Sequence, residues 1–400
     1  MSGESPLSMM RPPDQRLRRA GAGRRRRRRW PVVAPLVLVV VLALAWVWLW
    51  YYAASVADRT LAGWVEREEA AGRFYACGSQ SIGGFPFRIE VSCADPSAEI
   101  RNQPPAYAVK AKTVGFVAEV WHPTELTGTV GGPVSLATAG NPPGWFADWT
   151  RSRIVVRGLP PDPEGFSVRL DDIHVDGALP GGHTIFRAKT ADLQGRVIAG
   201  APRDHPVIEV TLHLAAANAP GFHPLLAEPT DVEIVAVVRG FKDLSPKPWT
   251  ERVREMQAAT DGGIEIKSLR VAQKSAVVVG AGSLNVNAHG KLDGLVRVAV
   301  VGIERLVPLL AIDRLISQGI DQMAGSPGAA AQGISALDRL VPGLGGALRE
   351  GANASIVENL KKMGQPTSID KQPAIVLPLR FADGAIYFGM LRIGEAPALF

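Results

Sequence analysis

The chain has 400 residues, and its 44 Lys and Arg against 38 Asp and Glu give a formal net charge of +6 at pH 7. Residues 1–29 alone carry ten arginines against Glu4 and Asp14, so the remainder is slightly acidic. Because the basic excess lies outside the part that can form a core, composition excludes a nucleic-acid-binding domain. The remaining length suffices for one large domain or two ordinary ones.

The first predicted element is a transmembrane helix over residues 30–53. No charged residue occurs between Trp30 and Ala57, and at about 1.5 Å per residue this run exceeds the roughly 30 Å hydrocarbon core of a bilayer. Because basic residues stay on the cytoplasmic side, the preceding arginines predict a disordered cytoplasmic tail over residues 1–29 and an inner-membrane protein with a periplasmic domain. This topology signal consists of Arg24, Arg25, Arg26, Arg27, Arg28 and Arg29.

A cleaved signal peptide is the alternative interpretation of the same run. Ser55, Val56 and Ala57 are small or short residues of the kind that signal peptidase prefers. The apolar run is longer than the roughly 7 to 15 residues typical of that role. Aromatic residues at its far end, including Trp50 and Tyr52, are suited to the headgroup level of a bilayer. Both observations favour a retained anchor.

After the span, residues 54–74 are predicted to continue as a helical stalk. Leu61, Trp64 and Val65 fall near one face of a helix, with charged residues on the other. Gly72 is the predicted end of this helix, because glycine accepts the left-handed backbone conformation that often closes one.

The only two cysteines, Cys77 and Cys93, lie just beyond the stalk. In an oxidising compartment we predict one structural disulfide between them. A pair of metal ligands or redox thiols is the rival interpretation, but the spacing is far from C-x-x-C and no histidine lies between them. We therefore predict neither a metal site nor a cofactor.

From Cys77 the apolar pattern changes to a period of two, which predicts a first antiparallel sheet unit over residues 75–245. The segment leading into an early strand is Gly83, Gly84, Phe85, Pro86 and Phe87. In VRLDDIHV and in the later IEIKSLRV, a doubled polar position interrupts the alternation, which indicates a β-bulge or an edge twist. This echo, and the repeated Asp-Gly at Asp293–Gly294 and Asp383–Gly384, favour two related units.

The second predicted unit covers residues 246–400. It contains a helical block over 303–364 and a terminal hairpin over 373–394, with its turn at Asp383–Gly384. The apolar arc of the helix that follows Ile303 is broader than one packing face requires. Burial between two sheets is one explanation, and an apolar groove for an acyl chain is the other. The residues of that groove would be Leu306, Leu309, Leu310 and Ile316.

Residue patterns typical of catalysis are missing from the sequence. Its seven histidines are scattered singly, without the spacing of a metal site or a carboxylate partner, and no nucleophile elbow or phosphate loop occurs. An envelope hydrolase would need His174, Asp176 and His213 to converge from distant strands. We therefore predict a protein that is not an enzyme.

Four segments carry a family resemblance: GWVEREEAAGR, CGSQSIGGFPFRIEVSC, GAGSLNVNAHGKLDGLVRVAV and LPLRFADGAIYFGMLRIGEAP. They resemble an uncharacterised family of single-span envelope proteins of alphaproteobacteria, classed as a domain of unknown function. That family implies no catalytic residues. The anchor, the long antiparallel sheets and the terminal hairpin are more distantly similar to AsmA-like proteins, which implies a role in moving or organising envelope lipids.

The expected fold is therefore α+β, with an N-terminal transmembrane helix followed by large curved antiparallel sheets packed on a few helices. The expected function is binding or transport of lipid or lipid-like molecules in the cell envelope. The alternative is a structural or assembly scaffold that binds other envelope proteins through a polar sheet face or a strand edge.

Overall fold

A computed structural model describes residues 30–102, 105–138, 140–158, 162–177, 184–220, 224–245, 247–304, 358, 362, 364–388, 391–396 and 398–399. Its helices are α1 (Trp30–Ala70), α2 (Trp249–Ala258) and a 3₁₀ turn at Pro224–Ala227. The contacts divide the chain into residues 1–53 and 54–400, and the second unit holds the whole sheet. The arginine run of the tail and the groove residues Leu306, Leu309, Leu310 and Ile316 lie outside the described residues.

Helix α1 runs without interruption from the apolar span into the predicted stalk. It is the one helix among the described residues that is long and apolar enough to cross a membrane. It ends where the sequence predicts, since the Gly72 N–H donates to the Glu69 carbonyl and Gly72 adopts a φ of 78°. Glycine tolerates this left-handed conformation because it has no Cβ to clash with the preceding carbonyl.

The strands of the first half are β1 (Arg73–Ala76), β2 (Ser79–Gly83), β3 (Arg88–Ala94), β4 (Ser97–Ile100), β5 (Tyr107–Lys110), β6 (Thr113–Glu119), β7 (His122–Gly131), β8 (Val134–Thr138), β9 (Trp145–Asp148), β10 (Arg151–Arg157), β11 (Gly165–Gly177) and β12 (Thr184–Ala201). Those of the second half are β13 (Asp204–Ala217), β14 (Thr230–Arg239), β15 (Gly263–Gln273), β16 (Ala276–Val286), β17 (Leu292–Val301), β18 (Gln365–Ile369), β19 (Gln372–Ala382), β20 (Ala385–Phe388) and β21 (Leu391–Glu395).

All of these strands belong to one antiparallel sheet, which confirms the predicted fold class. From β10 to β17 each strand pairs with the next in sequence, and β17 then pairs with β19. The predicted units 75–245 and 246–400 are joined edge to edge, because β14 pairs with β15. In the described part of the chain, β2 and β21 each pair with a single strand, so the sheet is open.

Before β11 the strands occur as consecutive pairs along the chain, and the two members of each pair belong to different series of hydrogen-bonded neighbours. One series pairs in the order β2, β3, β6, β7, β10, and the other in the order β1, β4, β5, β8, β9. Strand β11 pairs with both β10 and β9 and so unites the two series. The short links that join the two members of each pair therefore lie on one line across the sheet, which we call the crease.

The crease continues into β11 and β13, where single residues enter the left-handed region. Asp172 has a φ of 51° and accepts a hydrogen bond from the Thr150 hydroxyl at 3.0 Å. Leu170 and Ile173, on either side of this residue, consequently pack in the same apolar cluster. The doubled polar position of VRLDDIHV therefore interrupts the alternation as predicted. At Asp172 the pairing with β12 keeps its register, whereas the counterpart between Ile266 and Leu269 is a register shift.

The best-buried core lies on one face of β16, β17 and β19. Val296, Val298 and Val300 are each less than a tenth exposed and pack with Leu284 and Leu377. The terminal hairpin that follows β19 turns at Asp383 and Gly384, both with positive φ.

Helix α2 covers the end of the sheet between β14 and β15 and is held by a charged cluster. Lys247 Nζ lies 2.8 Å from Asp243 Oδ2 and 2.5 Å from Glu255 Oε1, while Arg252 Nη1 lies 3.0 Å from Glu255 Oε2. Burial alone would raise the pKa of both carboxyl groups. The hydrogen bonds from Lys247, with further ones from the Ser245 and Lys242 backbone, outweigh it and hold both pKa values below their ordinary range.

Removal of the disulfide is expected to weaken the first hairpin. Cys77 and Cys93 are bonded and 16 residues apart in sequence, a loop whose closure in the unfolded chain is worth about 3 kcal/mol. Serine at both positions should lower the free energy of unfolding of the detergent-solubilised chain by about that amount, which appears as a lower urea midpoint. A reducing agent should lower the midpoint of the wild type and leave the variant unchanged. Equal midpoints of wild type and variant would contradict this assignment.

The charged cluster at α2 is expected to make stability fall in acid. Because the pKa of Asp243 and Glu255 is lower in the folded state than the ordinary 3.8 and 4.5, their stabilisation is complete above those ordinary values and is lost as the pH falls from them through the lowered folded-state pKa values. Glu255→Gln should cost about 2 kcal/mol at pH 7, since it removes charge-assisted hydrogen bonds. It should also flatten the dependence of the urea midpoint on pH below 5. The nearby Glu251→Gln, with no ion pair among the described contacts, serves as control.

Candidate apolar binding face

The register of the sheet aligns apolar residues into two lateral rows on one face. Cross-strand partners in an antiparallel sheet point to the same side, so each row can be followed from one strand to the next. The first row is Ile89, Ala118, Leu126, Val156, Phe166, Gly195, Val210, Ala236, Ile266, Gly282, Val296 and Leu379. The second row is Val91, Phe116, Gly128, Ile154, Val168, Leu193, Leu212, Ile234, Leu269, Gly280, Val298 and Leu377.

Every member of both rows is apolar or glycine, and we call this surface the apolar face. It extends from β3 to β19, which at about 4.8 Å per strand is a path of roughly 50 Å. The other side of the same strands carries polar residues and ion pairs, such as Arg196 with Glu209 and Arg239 with Glu265. The opposite side is mixed, since it also holds the buried Val155 and Val237. Because the row side is apolar throughout, water alone is an unsuitable environment for it.

The apolar face is unevenly covered along its length. Toward β17 and β19 it forms the buried core described above. Toward β6, β7 and β11 its large side chains remain accessible: Phe116 is 38% exposed, Leu126 36% and Phe166 40%. Contiguous exposed apolar surface on a soluble domain usually marks a binding site. The accessible part is therefore the candidate site.

Two aromatic rings in this part lie over glycines of the neighbouring strand. A Cβ on Gly195 would come within 2.3 Å of Phe166 Cε1, and one on Gly128 within 3.1 Å of Phe116 Cε1. Each ring therefore occupies the space that a side chain would take. No side chain therefore projects from the glycine position, and the ring shields the glycine backbone.

The C-terminal part of α1, residues 54–70, borders the apolar face at the first strand. Glu68 and Arg73 form a two-pronged ion pair, with one contact between Oε1 and Nη2 at 2.9 Å, and the rings of Trp64 and Tyr75 lie 4.8 Å apart. The Gln80 amide donates to Asp58 Oδ1 at 3.2 Å. Gln80 and Ile82 lie on the side of β2 that pairs with Cys93 and Val91, so the helix lies on the same side of the sheet as the apolar rows.

Electrostatics strengthen this connection between helix and sheet. The hydrogen bonds and the positive charge of Arg73 lower the pKa of Glu68, against the opposing effect of burial, and Glu68 in turn raises the pKa of Arg73. Burial raises the pKa of the Tyr75 hydroxyl. The pair therefore stays charged over the neutral range and fixes the helix to β1.

An open cavity of about 560 Å³ lies mainly on the polar face, where Ala281 and Ala299 leave room between larger side chains. Arg270 lines it and is already paired with Asp370 at 2.7 Å. Within the described residues, no group of three or more His, Cys, Asp or Glu side chains could hold a metal ion. We see no arrangement of nucleophile and base in this cavity.

The residues of the hydrolase alternative do not come together. His174 pairs with Arg187, and His213 pairs with Asp192, on the two sides of β12. Five residues of β12 separate these positions, which is about 16 Å along the strand. This exceeds the reach of a hydrogen bond, so His174 and Asp176 cannot act together with His213 in this arrangement.

The predicted segment from Gly83 to Phe87 forms the hairpin turn between β2 and β3. Gly84 has a φ of 97°, and its carbonyl accepts from the Arg88 N–H at 3.1 Å. A Cβ at Gly84 would meet the Arg88 carbonyl at 2.8 Å, so glycine is required on two grounds. Sequence reasoning located this segment but missed the lateral rows, which depend on register between distant strands.

Comparison with known proteins identifies a family without a known activity. Residues 50–397 match a family described as an uncharacterized protein conserved in bacteria (DUF2125). No curated protein and no solved structure matches the chain. The match confirms the resemblance to a domain of unknown function that the sequence motifs indicate.

The fit between Phe166 and Gly195 can be tested by a double-mutant cycle. Gly195→Ala should cost about 1 to 3 kcal/mol, because the added methyl group forces the ring from its place. In a Phe166→Leu background the same change should cost clearly less, since the close ring carbons are gone. Gly83→Ala is the control, because a Cβ there meets nothing within 4 Å. Equal costs of Gly195→Ala in both backgrounds, measured by urea denaturation, would contradict the packing.

Proposed function

The chain belongs to the bacterial family DUF2125, and we propose that it is a membrane-anchored protein of the cell envelope that binds lipid along its apolar face. The observation that carries this proposal is the pair of unbroken apolar rows, in which the large side chains of Phe116, Leu126 and Phe166 remain accessible. An acyl chain needs a long apolar concavity or surface with few polar groups. The rows have that chemistry, and their path is longer than the roughly 30 Å of a bilayer core.

Helix α1 supports the membrane part of the proposal. Its outer side chains, among them Leu36, Leu44 and Trp48, are exposed, as is expected for a helix whose surroundings are lipid. The arginines before it favour a cytoplasmic N-terminus, and the proposal therefore assigns the sheet and the Cys77–Cys93 disulfide to the periplasm. An oxidising compartment is the usual location of such a bond.

Lipid transport along the sheet is the form of this function that the rows favour. Adjacent strands offer equivalent apolar positions, so a bound chain can move laterally without crossing a charged residue. The expected substrates are phospholipids or other molecules with long acyl chains. Catalysis forms no part of the proposal, and neither does a cofactor or a metal. The scaffold alternative would instead place another envelope protein on the same surface.

Photocrosslinking from the two sides of β11 tests the proposal. Phe166→p-benzoylphenylalanine places the reactive ketone on the apolar face, and Arg169→p-benzoylphenylalanine places it on the opposite face of the same strand. In cells grown with radiolabelled acyl chains, the label is expected on the full-length chain irradiated with the probe at 166 and not at 169. Equal labelling from both positions would contradict a lipid site on this face.

The same experiment separates lipid binding from the scaffold alternative. A probe at 166 that joins the chain to another protein, without labelled lipid, would favour the scaffold. Gln194→p-benzoylphenylalanine is a second control, since Gln194 is exposed and neighbours the row residue Gly195 but points to the polar side.

A further inference from the structure

Four apolar side chains form an exposed cluster at one end of the sheet. They are Phe85, Phe87, Val120 and Trp121, which we call the turn cluster. The Val120 N–H donates to the Phe87 carbonyl at 3.0 Å, and the rings of Phe87 and Trp121 lie 5.7 Å apart. Trp121 is 68% exposed, and the two phenylalanines are half exposed. Side chains of this kind at hairpin turns are costly to leave in water.

The turn cluster continues the apolar face to the end of its first strands. The hydrogen bond between Val120 and Phe87 extends the ladder of β3 and β6 by two residues beyond Ile89 and Ala118. Side chains two residues apart in a strand share a face. Phe87 and Val120 therefore lie on the same side as the apolar rows, at their outer end.

The contacts of residues 54–70 show toward which side this end points. Along the helix, positions 68, 64 and 58 contact positions 73, 75 and 80 of β1 and β2, so helix and strands run in opposite directions. The turn at residues 84–87 begins about 13 Å beyond Gln80 along the strand direction. Asp58 is only about 6 Å from Ala54 along the helix. The turn cluster consequently lies toward the Ala54 end of the helix segment 54–70.

The position of the apolar span in the chain indicates what surrounds the turn cluster. The uncharged run ends at Ala57 and includes Tyr51 and Tyr52 immediately before Ala54, so the membrane anchoring proposed above puts the bilayer interface next to Ala54 along the chain. Trp and Phe side chains at that depth gain stability, because an aromatic ring fits the boundary between headgroups and acyl chains. Trp145 and Phe146, at the opposite end of the sheet, are also exposed but lie far from this level.

We propose that the turn cluster docks into the headgroup region of the bilayer that holds α1, and so presents the open end of the apolar face to membrane lipid. The proposal rests on the membrane anchoring proposed above and deepens it, since it identifies where a phospholipid passes between bilayer and sheet. The occupant of the cluster is the bilayer surface itself. The glycine turn at Gly84 holds the phenylalanines at the tip, and the Glu68–Arg73 pair fixes the helix that sets the level of the turn.

Site-specific quenching tests the docking in the full-length chain. Val120→Cys and Phe146→Cys introduce a label site at each end of the sheet, at positions of nearly equal exposure, 38% and 40%. Each variant is labelled with bimane under non-reducing conditions, which preserve the Cys77–Cys93 disulfide. Both are reconstituted in vesicles of phosphatidylethanolamine and phosphatidylglycerol that contain a phospholipid with a nitroxide just below the headgroup. Emission from position 120 should be quenched several-fold more than emission from position 146.

A second variant shows whether the aromatic side chains cause the docking. Phe85→Ser, Phe87→Ser and Trp121→Ser together, in the Val120→Cys chain, should reduce the quenching at 120 to that at 146. An intact disulfide and an unchanged urea midpoint of the triple variant exclude unfolding as the cause.

Each failure of this experiment has a distinct meaning. Vesicle flotation that carries the chain, with equal quenching at both positions, would overturn the docking and leave the anchor and the lipid face in place. If the chain does not float with the vesicles, the proposed anchor is wrong, and the docking with it. Loss of lipid crosslinking at position 166, with quenching at 120 intact, would overturn the proposed function alone.

Discussion

Register between antiparallel strands is the constraint on which this structure depends. Because side chains alternate with a period of two, a slip of one residue between any two strands would move the whole apolar set of one strand to the polar side. The apolar rows remain unbroken from Ile89 to Leu379 only because every strand pair keeps its register. Where the alternation changes, as at Asp172, a single residue in the left-handed region makes the change while the pairing with the neighbouring strand keeps its register.

Local features of the fold were accessible from the sequence because they depend on local chemistry. The period of two, the glycine stop at Gly72 and the bulges of the doubled polar positions all follow from the conformational preferences of a few adjacent residues. The disulfide was accessible for another reason, since Cys77 and Cys93 have no other cysteine to pair with. The family resemblance likewise rests on short motifs.

Features that depend on residues far apart in the chain, including the candidate site, could not be predicted in the same way. Asp293–Gly294 has the composition of a hairpin turn, yet it lies inside β17. The turn lies earlier, where the Asn287 side chain accepts from the backbone N–H groups of His289 and Lys291. Such a side-chain cap competes with a type I′ turn and wins here because it also permits full pairing of β16 with β17. The packing of Phe166 over Gly195 joins residues of two strands, and neither residue alone indicates it.

An open sheet with one apolar side and free edges would be expected to aggregate, and several features of the second unit oppose this. The first edge is accompanied by residues 54–70, fixed through Glu68 and Arg73. The polar side carries cross-strand ion pairs such as Arg196 with Glu209, which favour water over another sheet. The accessible apolar residues are thereby confined to one surface and one end. A protein that requires such a surface gains from attachment to a bilayer, because in the docking proposed above the membrane would supply at the turn cluster the apolar contact that another copy of the sheet would otherwise provide.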